Sequence, residues 1–121
     1  MINCIYVGLG GFIGSILRYL ISLIPLNENN SFPYKTLITN IIGAFIIGVI
    51  AALALKNKNI NPRLVLFLKT GLCGGFTTFS TFALESYNLF STGKIIASII
   101  YIILSVTLCI LMVLLADFIF S

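Results

Sequence analysis

The chain has 121 residues, 60% hydrophobic and 8% charged, with seven Lys/Arg against three Asp/Glu, a net charge of +4 and no His. Soluble domains carry about 25% charged residues, so a water-soluble fold, a disordered chain and a disulfide-stapled secreted scaffold are excluded. Imidazole acid–base chemistry and imidazole metal ligation are absent as well. The remaining class is an all-α integral membrane protein, with mean hydropathy +1.17, forming a single transmembrane domain over residues 1–121.

Four apolar runs are long enough to cross a bilayer. The first covers about residues 3–24 and stops at Pro25 and the polar stretch Asn27–Ser31. It carries no basic leader region and is not read as a signal peptide. Gly10 and Gly14 form a small-xxx-small pair that permits close helix approach. Arg18 follows Gly11 and Ser15 on one face. It reads either as a snorkelling interfacial side chain or as an anion attractor at a pore mouth.

The second run covers about residues 36–55 and ends in Lys56-Asn57-Lys58-Asn59. Thr36, Asn40 and Gly43 share a face. The Asn40 amide, inside the span, must bond a neighbouring helix or line water. The third run covers about residues 63–90. Its Gly71-Leu72-Cys73-Gly74-Gly75-Phe76-Thr77-Thr78 stretch is a poor continuous helix. A break near residues 74–78 is expected, with a glycine kink as the simpler alternative. Freed carbonyls there suit a cation. Phe79 and Phe82 share a face beside Ser80 and Thr81. Aromatic pairs at this spacing are usually core. Two electropositive ring edges with hydroxyl donors also make a neutral anion site.

The fourth run covers about residues 95–120. Ser98, Tyr101, Ser105, Cys109 and Met112 recur along it at steps of three and four, marking its inward face. Cys4, Cys73 and Cys109 lie far apart within apolar stretches and read as small buried side chains rather than a disulfide or metal site. The basic residues cluster at span ends, where a bilayer favours them, so no nucleic-acid partner is expected. Lys56, Lys58 and Arg63 on one side face Lys35, Lys94 and Arg18 on the other. This near-balance leaves open either a weakly biased fixed orientation or insertion both ways.

Three stretches resemble the motifs of the Fluc/CrcB fluoride ion channels. They are Gly11-Phe12-Ile13-Gly14-Ser15-Ile16-Leu17-Arg18-Tyr19, Thr36-Leu37-Ile38-Thr39-Asn40-Ile41-Ile42-Gly43-Ala44-Phe45, and Gly71 through Phe82. The third is the most specific, and the resemblance spans nearly the whole chain. It implies a passive fluoride-selective channel that exports fluoride and confers fluoride resistance, built as an antiparallel, dual-topology homodimer in a bacterial inner membrane. It also implies roles. Phe79 and Phe82 would turn ring edges to fluoride, with Ser80 and Thr81 as hydroxyls of the path and Asn40 as the pore amide. Tyr101 and Ser105 would continue a polar track, and Arg18 would sit in an aqueous vestibule. A structural, untransported Na+ would be held by backbone carbonyls of Gly74 and Thr77 from both subunits. Cys109 stands where the family often has a hydroxyl residue, and Glu85 matches an acidic position the family often carries.

The main rival is a small dual-topology, proton-coupled cation or drug antiporter. That mechanism needs an intramembrane carboxylate in the first helix. The three acids are instead Glu28, Glu85 and Asp117. A non-conducting accessory subunit would explain the glycines but not the Gly/Thr/Phe stretch. An enzyme is least expected, because no nucleophile–base pair stands out.

Overall fold

The computed structural model describes residues 1–25 and 32–121; Glu28 and the rest of the polar stretch expected to end the first span lie outside the described residues. The described chain forms four long, mainly helical segments: α1 (Ile2–Ser22), α2 (Tyr34–Lys56), a composite third span over Pro62–Ser91, and α6 (Ile95–Phe120). At 21, 23, 30 and 26 residues, each is long and apolar enough to cross a membrane.

The third span is not one helix. It opens as α3 (Pro62–Val65), widens into a π-helical segment (Leu66–Cys73) and returns to a single α turn, α4 (Gly74–Phe76). It then breaks at Thr77 and Thr78 and resumes as α5 (Phe79–Ser91). Asn61 starts it: its side-chain oxygen accepts the Arg63 N–H at 2.9 Å, and Pro62 occupies the first turn, where its missing N–H costs nothing. The interruption falls later than glycine content suggests. Gly74 and Gly75 stay helical, while Thr77 (φ −88°, ψ 159°) and Thr78 (φ −149°, ψ 124°) are extended.

Glycines set the packing of α1. A Cβ on Gly10 would collide with the Phe67 carbonyl oxygen, and one on Gly14 with the Leu72 carbonyl oxygen. Gly75 would meet the Gly11 carbonyl at 2.6 Å. Backbone therefore lies directly on backbone, and α1 runs parallel to the first half of the third span. On the other side α2 packs along α6, with Gly48 against Val113 and Ala116.

Between α5 and α6 the chain reverses in three residues. Gly93 takes φ +87°, and the Lys94 N–H bonds the Leu89 carbonyl at 2.8 Å, closing the end of α5. This turn brings Ser98 against the Ser86 carbonyl at 2.8 Å and Tyr101 against Glu85. Leu37, Phe82, Leu89 and Tyr101 form the buried cluster that holds α2, α5 and α6 together. Outside it the surface is strongly apolar, as a bilayer requires.

Candidate functional site

The chain break is held open by one side chain. The Thr78 N–H donates to Asn40 Oδ1 at 2.9 Å, and Asn40 Nδ2 donates to the Thr78 carbonyl at 3.1 Å. One amide thus satisfies both backbone groups of an extended residue at membrane depth, where unpaired groups are costly. Thr78 in turn caps α5: its Oγ1 accepts the Thr81 N–H at 3.2 Å and donates to Thr81 Oγ1 at 3.1 Å. Ser80 Oγ lies 3.4 Å from the same hydroxyl.

These bonds change the carbonyl account. In an unbroken α-helix the Thr78 N–H would reach the Gly74 carbonyl and the Thr81 N–H the Thr77 carbonyl. Both amides are instead given to side chains, of Asn40 and Thr78. The neighbouring carbonyls are occupied: Cys73 accepts the Thr77 N–H and Oγ1, and Gly75 accepts Arg18 Nε at 3.1 Å. Gly74 and Thr77 are left with carbonyls stripped of their helical donors, and both line one open groove. That donor chemistry, neutral oxygens in a region poor in water, fits a hard monovalent cation. Among the described residues no group of three His, Cys, Asp or Glu could hold a metal.

The groove has a volume of about 350 Å³ and lies between α2, the break and α6. Asn40, Phe79, Phe82 and Ser105 line it together with Gly74 and Thr77. The Phe79 and Phe82 ring centroids are 5.6 Å apart at 54°. Phe82 is buried against Tyr101 at 5.2 Å, whereas Phe79 is 79% exposed. Ser105 is only 5% exposed and its Oγ has no hydrogen-bond partner among the described residues. Cys109 continues the same wall one turn further.

A second concavity, lined by basic and hydroxyl residues, lies behind the break. Arg18, Lys35, Thr36, Thr39, Thr78 and Thr81 surround a recess of about 90 Å³. It shares Ser22, Lys35, Thr36 and Thr81 with a wider mouth of about 510 Å³, bounded also by Glu85, Asn88 and Lys94. Thr78 lines both groove and recess and forms the wall between them.

The sequence-expected residues thus fall into two sets. Asn40, Gly74, Thr77, Phe79, Phe82 and Ser105 meet at the groove. Arg18 and Thr81 meet in the recess. Ser80 lies at the exposed start of α5 and lines neither. Tyr101 is fully buried and lines neither; its hydroxyl donates to Glu85 Oε1 at 3.0 Å. Sequence reasoning missed the two hinge roles of Thr78 and the Thr36–Glu85–Tyr101 chain, in which Thr36 Oγ1 donates to Glu85 Oε2 at 3.0 Å. A Thr immediately before the apolar run that restarts a helix is an N-cap signal that could have singled out Thr78. The Glu85 contacts join three elements and leave no local pattern.

A family model described as CrcB-like protein, Camphor Resistance (CrcB), matches residues 5–116. The chain is 49% identical over 110 residues to a protein of Ruminiclostridium cellulolyticum named fluoride-specific ion channel FluC, covering 90% of this chain and 85% of that one. Proteins of the same name in Azobacteroides pseudotrichonymphae and Shewanella halifaxensis are 41% and 42% identical over 101 and 114 residues. Those alignments cover 83% and 93% of this chain, and 81% and 91% of the relatives. With the family match running almost end to end and the relatives aligned over most of their length, this chain belongs to the CrcB family.

Proposed function

We propose that this protein is a passive, fluoride-selective channel that lets fluoride leave the cytoplasm and so confers fluoride resistance. The observation that carries the reading is the pairing of two environments across Thr78. On one side is a cationic recess with Arg18 and Lys35. On the other is a groove with two Phe rings, the Asn40 amide and the unpartnered Ser105 hydroxyl. Fixed cations draw an anion to the mouth. Neutral donors and ring edges then replace its water without holding it too tightly, which conduction requires. The names of the relatives supply the ion.

Hydrogen fluoride crosses membranes uncharged and ionises in a near-neutral cytoplasm. A pore open to the anion lets the membrane potential drive it out, by about 2.3 kcal/mol per 100 mV. In this mechanism Arg18, tethered to the Gly75 carbonyl, keeps its charge at the recess. Asn40 fixes the break and offers its edge to the groove. Thr81 and Ser80 contribute hydroxyls at the start of α5. Ser105 is the donor on α6, and Tyr101 acts from behind Phe82, through Glu85.

The reading includes a second copy of the chain. The groove is apolar apart from its few donors, and Ala44, Ile47, Val106 and Ile110 extend it. An antiparallel copy laid on this face would close it into a pore, and the near-equal Lys/Arg tally on the two sides suits insertion in both orientations. Sodium belongs to the same reading. The carbonyls of Gly74 and Thr77 would hold it at the closed face. It would supply fixed positive charge that stabilises those oxygens, without being transported. Replacing sodium by a large organic cation is then expected to slow fluoride flux.

A proton-coupled antiporter is not supported. α1 carries no carboxylate, and Glu85 is engaged by two hydroxyls rather than open to a cation. Growth tests the proposal directly. In bacteria lacking their own fluoride exporters, this chain should restore growth in fluoride, and Phe79→Ile should not. Restoration by Phe79→Ile equal to the parent would overturn the assignment of that ring.

A further inference from the structure

Away from the groove and the recess, α1 and the start of the third span border an open, mainly apolar cleft of about 440 Å³. It is lined by Tyr6, Leu9, Asn61, Leu64 and Phe67. Tyr6 and Leu9 lie four and seven residues into α1, about 6 and 10 Å along its axis. The cleft therefore occupies the outer hydrocarbon layer and opens at the headgroup level. Its open end is cationic. Lys56, Lys58 and Arg63 fall within eight residues of sequence with no acid among them, and all three are exposed. The Arg63 guanidinium lies over the Tyr6 ring, 5.9 Å from its centroid, and this ring is its one side-chain partner among the described residues. Asp117, the acid at that end of the molecule, is on α6, which packs along α2 rather than beside the cleft.

We propose that this cleft binds an anionic phospholipid. One acyl chain lies along Leu9, Leu64 and Phe67, and the phosphate sits against Arg63, with Lys56 and Lys58 adding charge. Both halves of the match are chemical. A slot walled mainly by Leu9, Leu64, Phe67 and the Tyr6 ring suits a hydrocarbon chain. An exposed guanidinium held 5.9 Å above an aromatic ring suits a phosphate. Each basic residue near the surface contributes attraction to anionic lipid. The inference does not depend on the channel reading, because none of these residues lines the groove or the recess.

The chain contains no Trp, which makes a clean test available. Phe67→Trp places one fluorophore in the cleft, and Phe12→Trp places one on the same side of the protein at an exposed site on α1. Each variant is reconstituted in vesicles containing brominated phosphatidylglycerol or brominated phosphatidylcholine. The proposal expects brominated phosphatidylglycerol to quench Phe67→Trp at severalfold lower mole fraction than phosphatidylcholine, and to quench Phe12→Trp no better. Adding Lys58→Gln and Arg63→Gln should remove the difference at Phe67→Trp. Equal quenching by the two lipids in Phe67→Trp would overturn the proposal, as would a preference that survives neutralisation. Protection from both lipids would mean that protein covers the cleft and would overturn it too. If the neutralised variant fails to insert, the comparison of the two Trp positions decides alone. Fluoride efflux measured on the same vesicles keeps the fate of the channel reading separate.

Discussion

Asn40 performs at one point what the helical ladder performs elsewhere, bonding both the N–H and the carbonyl of Thr78. Asn40→Ala leaves two backbone groups unpaired in a site with little water, at about 1–3 kcal/mol each. The variant is expected to lose thermal stability in detergent and to lose flux. Asn40→Asp keeps an acceptor for the Thr78 N–H but no donor for its carbonyl, and should be intermediate in stability. Phe79 makes the contrasting case. It is mostly exposed in this chain, so Phe79→Ile should cost little stability and still stop conduction. Phe82 is buried against Tyr101, and Phe82→Ala should cost about 3–5 kcal/mol through the cavity it leaves. Thermal unfolding of the two variants side by side separates a ring that holds the core from one that does not. Cys109 is the third test at this scale. Cys109→Ser restores a hydroxyl to the groove wall and should leave flux unchanged or raised.

At the scale of elements, the third span concentrates what the sequence left hidden. The interruption was legible in three glycines followed by hydroxyl residues, because such a stretch cannot hold a regular helix in the membrane. Its neighbourhood, residues 74–78, was legible too; that Thr77 and Thr78 alone are extended was not. Gly74 and Gly75 stay helical, whereas Thr78, whose N–H and carbonyl are both taken by Asn40, does not. The π-helical segment Leu66–Cys73 gave no warning either. Only Lys69 and Thr70 break its apolar run, so there is no polar rhythm from which to read its period. The glycines of α1 were legible as packing residues, and the structure grades them. Gly14→Val must push Leu72 and Phe76 backbone atoms aside and should cost about 1–3 kcal/mol or prevent stable extraction. Gly8 has nothing within 4 Å of a new Cβ, and Gly8→Ala should be tolerated. Size-exclusion profiles after heating would rank the pair; equal behaviour would contradict the packing account.

At the scale of the whole molecule, four spans follow from apolar run length alone, since a bilayer sets the length of a helix. The placement of Arg18, Asn40, Phe79 and Phe82 follows less directly. Helical spacing put each on an inward face, but only the Asn40–Thr78 bonds and the reversal at Gly93 bring them to either side of one wall. Tyr101 marks the limit of reading a stripe. It shares the face of Ser105 on α6, yet α5 crosses in front of it and takes its hydroxyl to Glu85. The proposed covering of the groove by an antiparallel copy would be a property of two chains, and a single sequence speaks to it only through its balance of charge.

The central claim is anion conduction through the groove beside the break, and fluoride efflux tests it most directly. Purified protein in liposomes loaded with fluoride, with potassium and valinomycin clamping the potential, would be followed by an ion-selective electrode. The account predicts rapid fluoride loss, no comparable chloride loss, and tight vesicles for Phe79→Ile. Vesicles that hold their fluoride despite correctly inserted parent protein, or a Phe79→Ile variant that empties as fast as the parent, would contradict it.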